Sequence, residues 1–374
     1  MTPEADVTQT PTPAAGAPGP APDPAPDRAP TVVQRAVRAL LTQRIVLLAA
    51  LLVIIVVWMS LLGVGGYLTG AYDADYLSGA LVDAVPLCLL ALGELIVIVS
   101  GRGGIDLSIG SIVSLTGMVF GFAYGRWGWS LLLSIVLAVV VGGLLGAING
   151  LMVAYLRFPA LIATLASYYA YKSLALVVTN ASPISDKRVG DLYSITRSVE
   201  IPVIGSQLPN VPLGIFTFLI PTVVVVWLLL ARTTLGRRLF AIGTNDVAAE
   251  WSGLDVRRTR FFAYVLAGVI GGLVAVYISG QFASARPDAG TSGNGLALPA
   301  ITVAVLGGVA ITGGIGRVAG VVLATLLITW LNAGILLAFT GNDGTQFQLL
   351  ALGVVLIFAA LLNGLTTRRY GGSR

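Results

Sequence analysis

The side chains that could do chemistry in this 374-residue chain are few, and three groups of them interrupt its long apolar runs. The first is Glu94, deep within LALGELIVIV, with Asp83 earlier in the same run. A charge inside a membrane segment costs about 3 kcal/mol on insertion scales, so Glu94 is expected to face a bundle interior or a wet cavity. It reads as a buried structural pair, a protonated acid, or a polar contact on a translocation route, and Lys172 is a candidate partner. The second group is SGRGGIDLSIGS, residues 100–111, in which Gly101, Gly103 and Gly104 break a helix and Asp106 and Ser108 open the next. An acid near a helix N-terminus satisfies free amide groups and the positive end of the dipole. The same glycines also read as a hinge beside a pathway. Asn149, Thr164, Asn294 and Asn332 are further polar candidates, each by itself first a helix-packing hydrogen bond.

The third group is AIGTNDVAAEWSGL, residues 241–254, flanked by Arg232, Arg237 and Arg238 and by Arg257, Arg258 and Arg260. Asn245 is suited to cap a short helix with Asp246 in its first turn, and Gly253 to end it. Val247, Ala248, Trp251 and Leu254 fall on one face of that helix, with Asp246 and Glu250 on another. Two turns with a small apolar ridge are not stable alone and need something to dock on. Two surfaces suit it: another protein, or the lipid headgroup layer with Trp251 and the arginines in it.

Several chemistries have no residues to carry them. The chain has no His, which removes the commonest general base and metal ligand, and one Cys, Cys88, which excludes an intramolecular disulfide. Neither Lys172 nor Lys187 closes a phosphate-binding G-x-x-x-x-G-K loop. No catalytic residue, metal site, bound cofactor or nucleic-acid partner is expected, and any ATP must be bound by another subunit.

The elements that position these groups follow from hydropathy. The chain is 56% hydrophobic and 10% charged, with mean hydropathy +0.90. Soluble domains carry about 25% charged residues. Long continuous apolar runs select membrane helices over a barrel. The expected fold is an all-α polytopic bundle of about ten spans, near 45–66, 79–100, 105–125, 129–155, 159–179, 213–231, 261–281, 296–313, 318–339 and 346–364. Residues 1–44 hold a Pro/Ala-rich stretch, expected to be disordered, and a basic lead-in; 45–365 form the membrane domain, and 366–374 a short tail. With both termini in the cytoplasm, 16 of the 22 basic residues fall on the cytoplasmic side, together with 241–254. Glycines at four-residue spacing, such as Gly142, Gly146, Gly150 and Gly268, Gly272, predict close helix contacts or a subunit interface.

At these residues the chain resembles the permease subunit of bacterial ABC importers for monosaccharides, the group containing ribose, xylose, galactose and autoinducer-2 permeases. Five stretches carry the resemblance in the same order: GGIDLSIGS (103–111), NGLMVAYLRFPALIATLAS (149–167), AIGTNDVAAEWSGL (241–254), SARPDAGTSG (284–293) and VLGGVAITGGIGRVAG (305–320). The resemblance implies a second permease subunit, a cytoplasmic ATPase holding ATP and Mg, and an extracytoplasmic sugar-binding protein facing 180–212 and 282–295. It also implies a coupling-helix role for Asn245, Asp246, Val247, Ala248, Glu250, Trp251, Ser252, Gly253 and Leu254. The Glu250-Trp251 pair departs from the family's usual Arg-Leu, and Ala297 and Pro299 stand where acids are common. Two other readings remain open: an ion-gradient-driven secondary transporter of a small polar solute, for which Glu94 is the only acid deep in a span, and a membrane enzyme.

Overall fold

The computed structural model describes residues 44–370 apart from 197, 200–208 and 294, so Asn294 and the expected disordered tail lie outside the described residues. Thirteen helices are named here in chain order. They are α1 (Arg44–Val64), α2 (Ala74–Val99), α3 (Ile109–Phe120), α4 (Leu131–Gly150), α5 (Ala160–Val178), α6 (Lys187–Asp191), α7 (Ile220–Arg232), α8 (Thr234–Thr244), α9 (Asp246–Trp251), α10 (Val256–Gln281), α11 (Ala297–Leu306), α12 (Val318–Ala338) and α13 (Asn342–Tyr370). Single π-helical turns continue α3 over Gly121–Arg126 and α4 over Leu151–Tyr155, and lead into α7 over Ile215–Leu219. A two-residue antiparallel pair, Ser198–Val199 with Val211–Pro212, is the only sheet among the described residues.

Eight of these helices are long and apolar enough to cross a membrane. The other two expected spans are α3 with its π turn and the ten-residue α11. Several boundaries differ from expectation for local reasons. Helix α2 starts at Ala74 because Asp73 caps it, accepting from Tyr76 N at 2.9 Å. Helix α3 starts at Ile109, since 105–108 is held in a turn by Asp106. Helix α10 takes in Arg257, Arg258 and Arg260 because Asp255 caps it, accepting from Arg258 N at 2.9 Å. Helix α13 runs on to Tyr370, across most of the expected 366–374 tail.

Apolarity without a polar face has two outcomes in this fold. The most apolar window of α2 is 83% buried inside the protein, whereas that of α1, more apolar still, is 6% buried. A helix that is hydrophobic all round must face protein or lipid, so α2 is the centre of the bundle and α1 a margin that leaves its apolar surface to lipid or to another subunit. Helices α2, α10, α11 and α12 share the main core. The expected glycine contacts are internal to the chain: a Cβ at Gly142 would stand 2.3 Å from Gly268 O, and one at Gly146 2.2 Å from Tyr264 O. Those glycines let α4 and α10 approach backbone to backbone.

Candidate functional site

Two polar groups flank the break after α2. The first is sealed. Glu94, Asp106, Ser108, Asn149 and Thr164 are all without solvent exposure, and Ser167 is buried with them. Asp106 Oδ1 accepts from Ser108 N at 2.9 Å, from Ser108 Oγ at 2.6 Å and from Asn149 Nδ2 at 3.4 Å. Asn149 Nδ2 also donates to Ser108 Oγ at 2.6 Å, and Asn149 Oδ1 accepts from Ser167 Oγ. Glu94 Oε2 accepts from Asp106 N at 3.3 Å. Thr164 Oγ1 donates to Ile105 O at 3.3 Å and to Ala160 O at 2.9 Å. The cluster therefore ties α2, the 101–108 turn, α4 and α5 together. Glu94 Oε1, Asp106 Oδ2 and the Tyr264 hydroxyl are buried without a hydrogen-bond partner among the described residues. Lys172, the expected partner of Glu94, is elsewhere: its Nζ stands 5.5 Å from the Tyr168 ring centre. A backbone amide, not a cation, meets Glu94.

The second group is open. Asn245 caps α9 by accepting from Ala248 N at 3.0 Å, and Gly253, at φ +80°, closes it. Ser252 N and Leu254 N bond back to Ala248 O and Ala249 O, both at 3.0 Å. The helix thus satisfies its own ends, as the sequence suggests. Ala249 is its buried point, while Ala248 is exposed and Leu254 half-buried. Val247 is 55% and Trp251 88% exposed. Asp246 is held from two sides, by an ion pair and hydrogen bond from Arg102 Nε and by Arg260 Nη2 at 3.6 Å. Buried Arg260 also donates to Ser100 O at 3.2 Å, at the last turn of α2. Arg102, Arg157, Asp246, Glu250 and Arg257 line a cavity of about 610 Å³ beside the helix.

The break itself joins the two groups. Gly101, Arg102 and Gly103 have φ of +81°, +57° and +63°, three successive left-handed residues that turn the chain sharply out of α2. Gly104 follows in the same turn, bonding N to Gly101 O at 3.1 Å. Gly243, at the end of α8, lies so close that a Cβ there would stand 1.9 Å from Val99 O and 2.5 Å from Gly314 N. Gly314 N donates to Val99 O at 3.0 Å. Segments near 100, 243 and 313 thus meet through bare backbone. Two of the five stretches that carry the resemblance, 241–254 and 305–320, supply that junction together with Val99 and Gly101 at the end of α2.

Asn332 stands apart from this site. It is half-buried on α12 and lines a different cavity with Asp83, Thr329 and Gln348. Sequence reasoning passes over Ser167 and Tyr264, and takes Arg102 and Arg260 only as members of basic or glycine-rich stretches, not as partners of Asp246. Ser167 had a signal, since Thr164, Ser167 and Tyr171 repeat at helical spacing on one buried face of α5. Among the described residues no cluster of three or more acids and thiols stands where a metal ion could be held.

Residues 76–360 match the family model described as branched-chain amino acid transport system / permease component. The ribose import permease of Escherichia coli (strain K12) is 32% identical over 280 residues, 74% of this chain and 81% of that protein. The corresponding protein of Bacillus subtilis (strain 168) is 35% identical over 276 residues, 74% of this chain and 80% of its own. The xylose transport system permease of Escherichia coli (strain K12) is 30% identical over 352 residues, 80% of this chain and 88% of its own. No solved structure matches. With most of its length covered by the family model and by these relatives, and with eight helices fit to cross a membrane, the chain belongs to the branched-chain amino acid transport system permease family and is a multi-pass membrane permease.

Proposed function

We propose that this chain is the transmembrane permease subunit of an ATP-binding-cassette importer in the bacterial cytoplasmic membrane, and that its cargo is a monosaccharide or similar small polyol. Relatives named for ribose import, xylose transport and autoinducer-2 import, at 30–33% identity, support the sugar class over the amino acid of the family's description. Two permease subunits pair, an extracytoplasmic binding protein delivers the solute, and cytoplasmic ATPases hold ATP and Mg. The basic-residue distribution supports both termini and α9 lying on the cytoplasmic side.

The observation that carries this reading is the exposed ridge of Val247 and Trp251 on a capped helix tied by Asp246 to Arg102 and Arg260. Asn245 to Leu254 form the coupling segment to the ATPase. A push on α9 reaches the end of α2 through Arg260 and Ser100, beside the hinge at Gly101, Gly103 and Gly104. Glu94, Asp106, Ser108, Asn149 and Thr164 stand behind that hinge and brace the pathway helices. The test uses Val247→Cys, since the single native Cys88 is buried. Cross-linking from position 247 to an ATPase from a neighbouring reading frame, and ATP hydrolysis only by the assembled complex, are expected. A second reading, ion-gradient-driven transport, has one observation in its favour: Glu94 and Asp106 meet at a broken helix. Sugar uptake that survives removal of every partner ATPase would establish it instead.

A further inference from the structure

A second cavity, of about 600 Å³, opens far from the coupling helix, along the first half of α2. Asp75, Gly79 and Asp83 recur every four residues and form one wall. Thr329 and Asn332 of α12 form the second, and Gln348 of α13 the third. A polar wall of this kind on apolar helices does not suit lipid and marks a solute-facing or wet surface.

Thr329 shows that the groove is built for a guest. One turn earlier on α12, Thr325 spends its hydroxyl on Val321 O at 2.9 Å, the usual recourse of a helical threonine. Thr329 is 5% exposed, yet its Oγ1 bonds to nothing among the described residues. The Asn332 carboxamide likewise makes no hydrogen bond there, although its backbone carbonyl accepts from Gln348 Nε2 at 3.1 Å. Asp83 is partly engaged, accepting from Gln281 Nε2 at 2.7 Å. Among the described residues no Lys or Arg lines the groove to hold a phosphate or carboxylate. Carboxylate acceptors, a carboxamide and a hydroxyl together offer the alternating donors and acceptors that vicinal hydroxyl groups require, and the volume falls in the range of small-molecule sites.

We propose that this groove is a binding subsite on the permease itself for an uncharged polyhydroxylated solute, bonded by the Thr329 hydroxyl and the Asn332 carboxamide; this deepens the sugar-importer reading and rests on it. The test is equilibrium binding of radiolabelled D-ribose, D-xylose and a panel of neutral sugars and polyols to the purified permease in lipid nanodiscs, with no binding protein present. A Cβ at Gly79 meets nothing within 4 Å, so Gly79→Phe fills the groove without a clash at its base. Saturable binding by the wild type is expected, abolished by Gly79→Phe and weakened about fivefold by Thr329→Val, which removes one hydrogen bond and keeps the shape. Both variants should keep the wild-type melting temperature, because neither removes a bond within the protein. Binding unchanged in both variants, or no saturable binding of any neutral sugar, overturns the proposal. Preferential binding of spermidine overturns it too, in favour of a cation groove. ATPase-dependent uptake that continues in Gly79→Phe discards the subsite alone, whereas a wild type that takes up no sugar with its ATPase discards the importer reading.

Discussion

Around Asn149, polar atoms of α2, α4, α5 and one turn satisfy each other away from solvent; around Trp251, a six-residue helix satisfies its own backbone and turns its apolar side chains outward. Both are polar interruptions of an apolar chain, and both touch the break after α2. Among the described residues the first is complete apart from Glu94 Oε1, Asp106 Oδ2 and the Tyr264 hydroxyl, so its worth is read in stability. The second is incomplete, with a large indole standing free, so its worth is read in association. Burial separates an internal brace from an exposed apolar surface.

The largest blow falls on the junction that links the two. Gly243→Ala puts a methyl group against backbone that side-chain adjustment cannot clear, and should cost about 3 kcal/mol, read as a sharp drop in melting temperature in detergent. A wild-type melt would mean that the junction is loose and the two regions independent. Next, Asn149→Leu removes one buried partner each from Asp106, Ser108 and Ser167, which keep the Asp106–Ser108 bonds and the Ser167 bond to Ala163 O, and should cost about 2 kcal/mol, read by the same melt. Trp251→Ala inverts the pattern: no loss of thermal stability, but roughly 2 kcal/mol, near 30-fold, off ATPase affinity by titration. A stability loss equal to that of Asn149→Leu would erase the contrast, because Trp251 would then be packing inside its own chain. The smallest effect belongs to Arg102→Ala, about 0.5 kcal/mol in the melt, since this exposed partner leaves Asp246 still beside Arg260. A larger loss would make Arg102 the principal tie.

What was legible in the sequence was what local spacing encodes. Apolar run length gave the eight helices fit to cross a membrane, while the expected spans near 105–125 and 296–313 became the shorter α3 and α11; Asn245 and Gly253 gave the ends of α9, because caps are matters of neighbouring residues. Gly142 and Gly268 announced close packing through their four-residue repeats. What was hidden is contact through space. Asp246 and Arg102 are 144 positions apart, and no period links them. Lys172 was a reasonable counter-charge to Glu94 by type, but it faces the Tyr168 ring, and an amide twelve residues along the chain meets Glu94 instead. Ala249, not the Val247–Trp251 ridge, is the point where α9 is buried, a distinction that depends on what covers each face.

The backbone junction near residues 100, 243 and 314 also sets an order of events at the ribosome. Val99 and Gly243 are made well before Gly314, whose amide completes the contact. At about 5–20 residues per second, the 71 residues from 243 to 314 take roughly 4 to 14 s to translate. For most of that interval α9 exists without one of the supports beneath it. A chain truncated before Gly314 therefore lacks one of the contacts that set α9 in its final place.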